Sequence, residues 1–250
     1  MDLSAFYFET LKDRVYTGDT KDCETLQRVL GLIFYELLQM LAPVCPLLVE
    51  EVWDHVPAEL KEKSAHPARA VWSPLPALAA SESASLEAMS ETTSTLGAAI
   101  KIAQERLRAE KKIGSSLESA ATVYLPEATN AENFYSEFSK CMHPTILTPT
   151  DLETQLAGLF VISEVNLWTP TVSCFANNVF MAEDPDTMKK KSLWWEEEAL
   201  SSDAGVLGKA KVLVHPPSGE KCPRCWRFVK EEKEEVCGRC RDVVSLQGGA

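Results

Sequence analysis

The sequence predicts a mainly helical α+β protein: a helical bundle, a small α+β unit and a four-cysteine zinc knuckle. Three observations predict it. Apolar residues recur at steps of three and four through residues 2–57 and again through 86–113. After Gly114 the texture changes to short β-branched runs. Near the end, Cys222, Cys225, Cys237 and Cys240 form Cys-x2-Cys-x11-Cys-x2-Cys. The domain boundaries expected from these changes are 1–113, 114–205 and 206–250.

The elements follow in chain order. Phe6, Tyr7, Leu11 and Val15 sit at near-helical spacing, and Thr17-Gly18-Asp19 supplies turn chemistry. A longer helix runs from Thr20 or Asp22 through Leu26, Val29, Leu30, Ile33, Phe34, Leu37, Leu38 and Leu41 until Pro43 interrupts it. Pro46 stands where a first helical turn tolerates proline, and the next helix runs on to Pro57. From Pro57 to about Ser85 prolines and small residues predict a crossing loop, with a few extended residues near Ala70-Val71-Trp72. A fourth long helix begins near Leu86 and ends at Ile113-Gly114, where glycine can supply a left-handed cap. Its end carries Lys101, Arg106, Arg108, Lys111 and Lys112 against Glu105 and Glu110, a local +3 that suits either a helix C-terminus or a phosphate contact. Beyond it, residues 121–125, 159–165 and 209–214 read as strands, and 131–140 and 150–158 as short helices. Residues 175–203, with Lys189-Lys190-Lys191, Trp194-Trp195 and Glu196-Glu197-Glu198, read as an exposed or partly disordered insertion.

The cysteine pattern points to one tetrahedral metal site. Each Cys-x2-Cys pair makes a tight turn that aims two thiolates at a common point, and four thiolates at about 2.3 Å suit zinc. With no coordination position left for water, such a zinc holds a fold together and activates no nucleophile. Two disulfides or a redox pair are the alternatives. His215 is near enough in sequence to be a substitute ligand, but four cysteines already complete the site. Cys23, Cys45, Cys141 and Cys174 show no pairing rhythm, which suits free thiols in a reducing, intracellular compartment. No apolar run reaches membrane-spanning length, and Asp2, Glu9, Asp13 and Asp19 do not fit a signal or transit peptide.

The net charge of −12 argues against a protein that grips nucleic acid with its whole surface. The charge is uneven. Residues 206–241 hold nine lysines and arginines against five glutamates, or +4, which leaves −16 for the rest. Four thiolates and one Zn2+ bring the tail to about +2. His55, His66, His143 and His215 are isolated, with no serine, cysteine or carboxylate arrangement that would make a catalytic triad. No phosphate-cradling glycine loop appears.

Two stretches carry a family resemblance. Residues 6–16, F-Y-F-E-T-L-K-D-R-V-Y, and 41–57, L-A-P-V-C-P-L-L-V-E-E-V-W-D-H-V-P, resemble the anticodon-binding helical domain of class I aminoacyl-tRNA synthetases. E-K-K-I-G-S-S-L-E-S-A at 110–120 and G-E-K-C-P-R-C-W at 219–226 narrow it to the isoleucyl-tRNA synthetase family of bacterial and mitochondrial type. The resemblance covers nearly the whole chain, weakest over 126–205. It implies the C-terminal part of such an enzyme, in which the helical domain and the zinc-bearing tail hold the anticodon end of tRNA(Ile). Arg224, Trp226, Arg227, Arg239 and Arg241 on the knuckle, with Lys111 and Lys112, are the expected RNA contacts; Trp226 reads either as packing over the zinc loops or as stacking on a base.

In that family ATP-dependent activation occurs in a catalytic domain marked by His-Ile-Gly-His-like and Lys-Met-Ser-Lys-Ser-like elements, and a separate domain edits. Neither is found before Met1, so the chain is expected to be inactive alone, with the N-terminal catalytic domains as a partner and ATP bound only there. Thr187-Met188-Lys189-Lys190-Lys191-Ser192 superficially matches the second element but stands on the wrong side of the helical domain, and reads as a charged surface loop. If the first helix belongs inside a larger domain, Phe6, Tyr7, Phe8 and Leu11 leave an apolar patch. The resemblance suggests the mitochondrial matrix, with the cytoplasm as alternative; no membrane and no DNA partner is expected. The rival functions are a stand-alone zinc-dependent RNA-binding module and, remotely, a DNA glycosylase-type zinc-finger protein, whose starting Met-Pro-Glu is not matched by Asp2.

Overall fold

A computed structural model describes residues 6–18, 20–61, 65–72, 77–125, 133–136, 138, 149–169, 184–200 and 207–247. It is a mixed helix-and-sheet protein that divides into two compact units, residues 14–77 and residues 1–13 with 78–250.

The 14–77 unit is helical. The first helix, α1 (Phe8–Thr17), ends within it, followed by α2 (Thr20–Leu41), α3 (Pro46–Asp54) and α4 (Ala58–Lys61). Pro46 occupies the first turn of α3, as its fixed φ and missing N–H allow. Leu26, Leu38, Val49 and Val56 are buried apolar residues of this unit. Tyr35 donates to the carbonyl of Ala65 at 2.8 Å, and Trp53 lies between the Tyr35 and His66 rings at centroid distances of 6.1 and 5.5 Å. The crossing loop thus contains one short helix, α4, which four residues without apolar repetition do not announce.

The larger unit is built on a four-stranded sheet of β1 (Ala120–Tyr124), β2 (Glu164–Trp168), β3 (Glu196–Ala199) and β4 (Lys211–His215), in the order β2-β1-β4-β3. The β1–β2 pair is parallel, and the other two pairs are antiparallel. Every residue of central β1 is buried, whereas β2 alternates buried and half-buried positions. Helix α5 (Ala80–Ala109) packs on β3 and β4, and α6 (Pro149–Phe160) packs on β2. Leu96, Ile100, Leu107, Val123, Leu156 and Leu167 are among the residues of one core between them. A two-stranded ribbon, β5 (Glu220–Lys221) with β6 (Phe228–Lys230), and α8 (Gly238–Gln247) complete this unit. Gly219, at the foot of the ribbon, has no room for a side chain: a Cβ there would meet the Val229 backbone at 2.9 Å.

Several expectations are corrected. Helix α5 starts at Ala80 rather than Leu86, with Glu82 accepting the Ala79 N–H at 3.1 Å across its Ala/Ser-rich first turns. It is not capped by Gly114. Lys111 adopts the left-handed conformation (φ 57), the Lys112 N–H bonds to Leu107 O and the Lys111 N–H to Arg108 O, a Schellman ending one turn earlier. Leu159 and Phe160 belong to α6, not to a strand. Val161 (φ 55) reverses the chain through the same pair of bonds, Ile162 to Ala157 and Val161 to Gly158, and the strand starts at Glu164. A short apolar run does not distinguish a last helical turn from a strand.

Within 175–203, residues 184–200 form an ordered helix and strand. Asp184 caps α7 (Pro185–Lys191) by accepting from the Asp186 and Thr187 N–H groups, so the Thr187–Ser192 stretch is mostly helix rather than a loop. Glu196, Glu197 and Glu198 form β3 because cations meet them on both faces. Arg106 pairs with Glu196 (3.2 Å) and Glu198 (2.7 Å), and Lys189 (2.6 Å) and Lys211 (3.4 Å) pair with Glu197. Of the helix expected over 131–140, residues 133–136 and 138 are described and helical, with Phe134 and Phe138 in the core, and the others lie outside the described residues. Cys141, His143 and Cys174 also lie outside them. Leu11 is buried, while Phe6 and Phe8 are exposed. Among the described residues no helix is long and apolar enough to cross a membrane.

The left-handed lysine gives a stability prediction. A non-glycine residue there costs about 1–2 kcal/mol, and glycine returns about 0.5–1 kcal/mol of that as unfolded-chain entropy. Lys111→Gly is therefore expected to stabilise the protein by about 0.5–1 kcal/mol, read as a shift in urea midpoint at unchanged slope. An unchanged or lowered midpoint would show that the Lys111 side chain contributes more than its backbone costs.

Candidate metal centre

Two turns build the centre. Cys222 and Cys225 stand on the turn between β5 and β6; Cys237 directly precedes α8, and Cys240 lies in its first turn. All four thiols are unbridged, and their sulfurs lie within 4.8 Å of one another. Cys225 Sγ and Cys237 Sγ are 3.7 Å apart. Four thiolates at about 2.3 Å around one ion require sulfur separations of about 3.8 Å, so the donor set fits a tetrahedral metal ion. No disulfide joins these four cysteines. Cys222, Cys237 and Cys240 are buried, and Cys225, Val229 and Val236 pack against them.

The surroundings divide the four thiols, favouring the thiolate at Cys222 and Cys237 and the thiol at Cys225 and Cys240. The hydrogen bond from the Cys225 thiol takes Cys237 down to about 5 and correspondingly pushes Cys225 up. Burial works against the Cys222 thiolate, but the amide groups of Cys225, Cys237 and Arg224 outweigh it and lower its pKa. Burial raises the pKa of Cys240 despite its contact with the Arg224 side chain. A cation bound at four sulfurs acts in the same direction as these amides.

The residues expected to face outward divide into two groups. Trp226 is 63% exposed, at a left-handed φ of 67, with Lys221 Nζ 5.5 Å from its ring centroid. It does not pack over the metal loops. Arg241 is exposed and paired with Glu234. Lys111 and Lys112 are exposed, the latter 2.6 Å from Glu110.

The other three arginines turn inward. Arg224 is half-buried against Cys240. Arg227 is 4% exposed and donates from Nη2 to Ser163 O at 2.7 Å. Burial pulls its pKa down, and Asp13 opposes that shift. Arg239 makes a two-pronged pair with Asp13, at 2.8 and 3.4 Å. Asp13 is the participant that the sequence did not point to. It stands on α1 among other charged residues, with nothing local to tie it to a cysteine knuckle.

His215 is not a ligand. Its Nε2 shares a 2.9 Å hydrogen bond with Thr122 Oγ1 and its Nδ1 one of 2.8 Å with Pro216 O, and burial lowers its pKa. A cleft of about 360 Å³ opens beside the centre, lined by Glu153, Ser163, Glu164, Asn166, Arg227 and Arg239 among others.

Comparison with known proteins gives the following. The family model described as the anticodon-binding domain of tRNA ligase matches residues 1–125. An isoleucine–tRNA ligase of Natranaerobius thermophilus is 30% identical over 98% of this chain and 22% of its own length. Those of a Cyanothece species and of Staphylococcus epidermidis are 27% and 28% identical, each over 98% of this chain and 23% and 22% of their own lengths. The chain thus spans about a fifth of the length of the curated relatives it matches, between 22 and 23% for these three.

Proposed function

The chain belongs to the family of anticodon-binding domains of tRNA ligases, and from that membership we propose that it is the tRNA-recognition region of an isoleucine–tRNA ligase. Its contribution to aminoacylation is to hold the anticodon end of tRNA(Ile). Amino-acid activation with ATP belongs to the remainder of the relatives' length. In this reading residues 1–113 belong to the anticodon-binding domain, 114–205 to a connecting α+β unit and 206–250 to the metal-bearing tail. The centre holds one structural Zn2+, for which the four convergent sulfurs and their spacing are the support. The unbridged thiols agree with a reducing compartment, the mitochondrial matrix first and the cytoplasm second.

The observation that carries the RNA-binding role is Trp226. A large aromatic ring held outward on a four-thiol knuckle, with a lysine over its face, is a platform for an unstacked base. Lys111, Lys112 and Arg241 are the other exposed contacts of the proposal, and the inward Arg224, Arg227 and Arg239 support the knuckle. Stacking of one base contributes about 1–3 kcal/mol. Trp226→Ala is therefore expected to weaken binding of an isoleucine tRNA transcript by about five- to a hundredfold, with metal content unchanged. Undiminished affinity in a metal-loaded variant would remove the stacking role.

A further inference from the structure

We propose that Asp13 is a positioning residue: one carboxylate on α1 holds both Cys-x2-Cys turns of the metal centre and so sets the direction in which Trp226 is presented. The inference rests on the RNA-contacting role of Trp226. Each arm of the knuckle sends one guanidinium to Asp13. Arg227, two residues after Cys225, brings Nη1 to 3.5 Å of Oδ2, and Arg239, next to Cys240, brings Nη2 to 2.8 Å of the same oxygen. The site is withdrawn from solvent, with side-chain exposures of 19% for Asp13, 5% for Arg227 and 33% for Arg239.

Two guanidinium groups this close repel, and burial strengthens the repulsion. Asp13 is the anion paired with both of them. A neutral side chain of the same shape would remove the carboxylate that both guanidinium groups share and leave their mutual repulsion less offset, so the two arms would move apart. Gly158 of α6 lies alongside the carboxylate: a Cβ there would stand 3.4 Å from Asp13 Oδ2, in van der Waals contact.

Trp226 follows this anchor because its backbone has little freedom. It immediately precedes Arg227, its N–H bonds to Cys222 O at 2.9 Å, and the Cys222 N–H bonds to Arg227 O at 2.8 Å. Arg227 is also held through Nη2 to Ser163 O, while the next N–H, that of Phe228, bonds to Ser163 Oγ at 2.7 Å. The metal fixes the sulfurs relative to each other. Asp13 and Ser163 fix the knuckle relative to the body.

The test uses the full metal-loaded chain with 5-fluorotryptophan, the Trp226 resonance being assigned by Trp226→Phe. In Asp13→Asn the metal stays bound, the Trp53 and Trp168 resonances stay in place, the Trp226 resonance moves or splits, and affinity for an isoleucine tRNA transcript falls about tenfold. Asp13→Glu, which restores the charge, recovers part of both changes. An unmoved Trp226 resonance in folded, metal-loaded Asp13→Asn overturns the proposal. Should that variant not fold, Arg239→Gln removes the pair from its more exposed side and is judged by the same resonance. The two ideas separate cleanly. A moved resonance together with tRNA binding that is insensitive to Trp226→Ala sinks the RNA-binding reading and leaves Asp13 its role; the reverse pattern removes Asp13 and keeps that reading.

Discussion

Replacing Cys240 with serine, or stripping the metal with a chelator, is expected to release residues 220–240 from the body of the protein and abolish RNA binding through them. Beyond the metal, the segment is held by the Asp13 and Ser163 contacts of Arg227, Phe228 and Arg239 and by little regular structure of its own. Its regular structure is a ribbon of two residues against three and the first turn of α8. A two-stranded ribbon of that size is marginal in water. Its buried cluster consists of the cysteines themselves, with Val229 and Val236 packed against them. Two partly buried valines supply about 1.5–3 kcal/mol each at most, against about 10–16 kcal/mol of apparent free energy for zinc at structural thiolate sites. The metal term decides the outcome. Limited trypsin digestion reads it directly, because Lys221, Arg224, Lys230, Arg239 and Arg241 lie in or beside the segment. Rapid cleavage there, with the region around β1 and α5 still protected, is the expected pattern. Equal protection of Cys240→Ser and the parent chain would show that the knuckle stands without its ion.

The cysteine cluster and the long helices were legible because their signals are local. Two Cys-x2-Cys turns and a repeat of three and four each operate within a few residues. The misread parts depend on distant partners. Glu196, Glu197 and Glu198 have poor strand propensity, and their extended conformation is explained by Arg106 from a helix about ninety residues earlier. Asp13 and Arg239 are separated by 226 positions, so the clamp has no local sequence signature. Lys111, Val161 and Trp226 occupy left-handed positions where glycine is the usual signal, and the two helix endings at Lys111 and Val161 were displaced accordingly. Arg227 illustrates the consequence for the candidate site. Position beside the cysteines made it an expected RNA contact, and the same position buries it against Ser163 and Asp13.

Raising the pH is expected to weaken the fold through Glu153. This carboxyl is on α6, where burial takes its pKa up from 4.5 to about 7, opposed only in part by the Leu167 N–H that Oε1 accepts at 2.8 Å. Arg227, Arg239 and Glu164 line the same cleft. Between pH 4.5 and about 7 the folded protein holds a proton at Glu153 that the unfolded chain has released, so stability falls as pH rises through that window. Above it the penalty is complete, on the order of 3 kcal/mol from the size of the shift. Glu153→Gln keeps a carbonyl for the Leu167 N–H and carries no charge at any pH. The variant should therefore match the parent near pH 4.5 and exceed it by on the order of 3 kcal/mol at pH 8, a difference measured by paired urea titrations at the two values. A stability difference that is the same at both pH values would mean that Glu153 ionises as freely in the folded protein as in the unfolded chain.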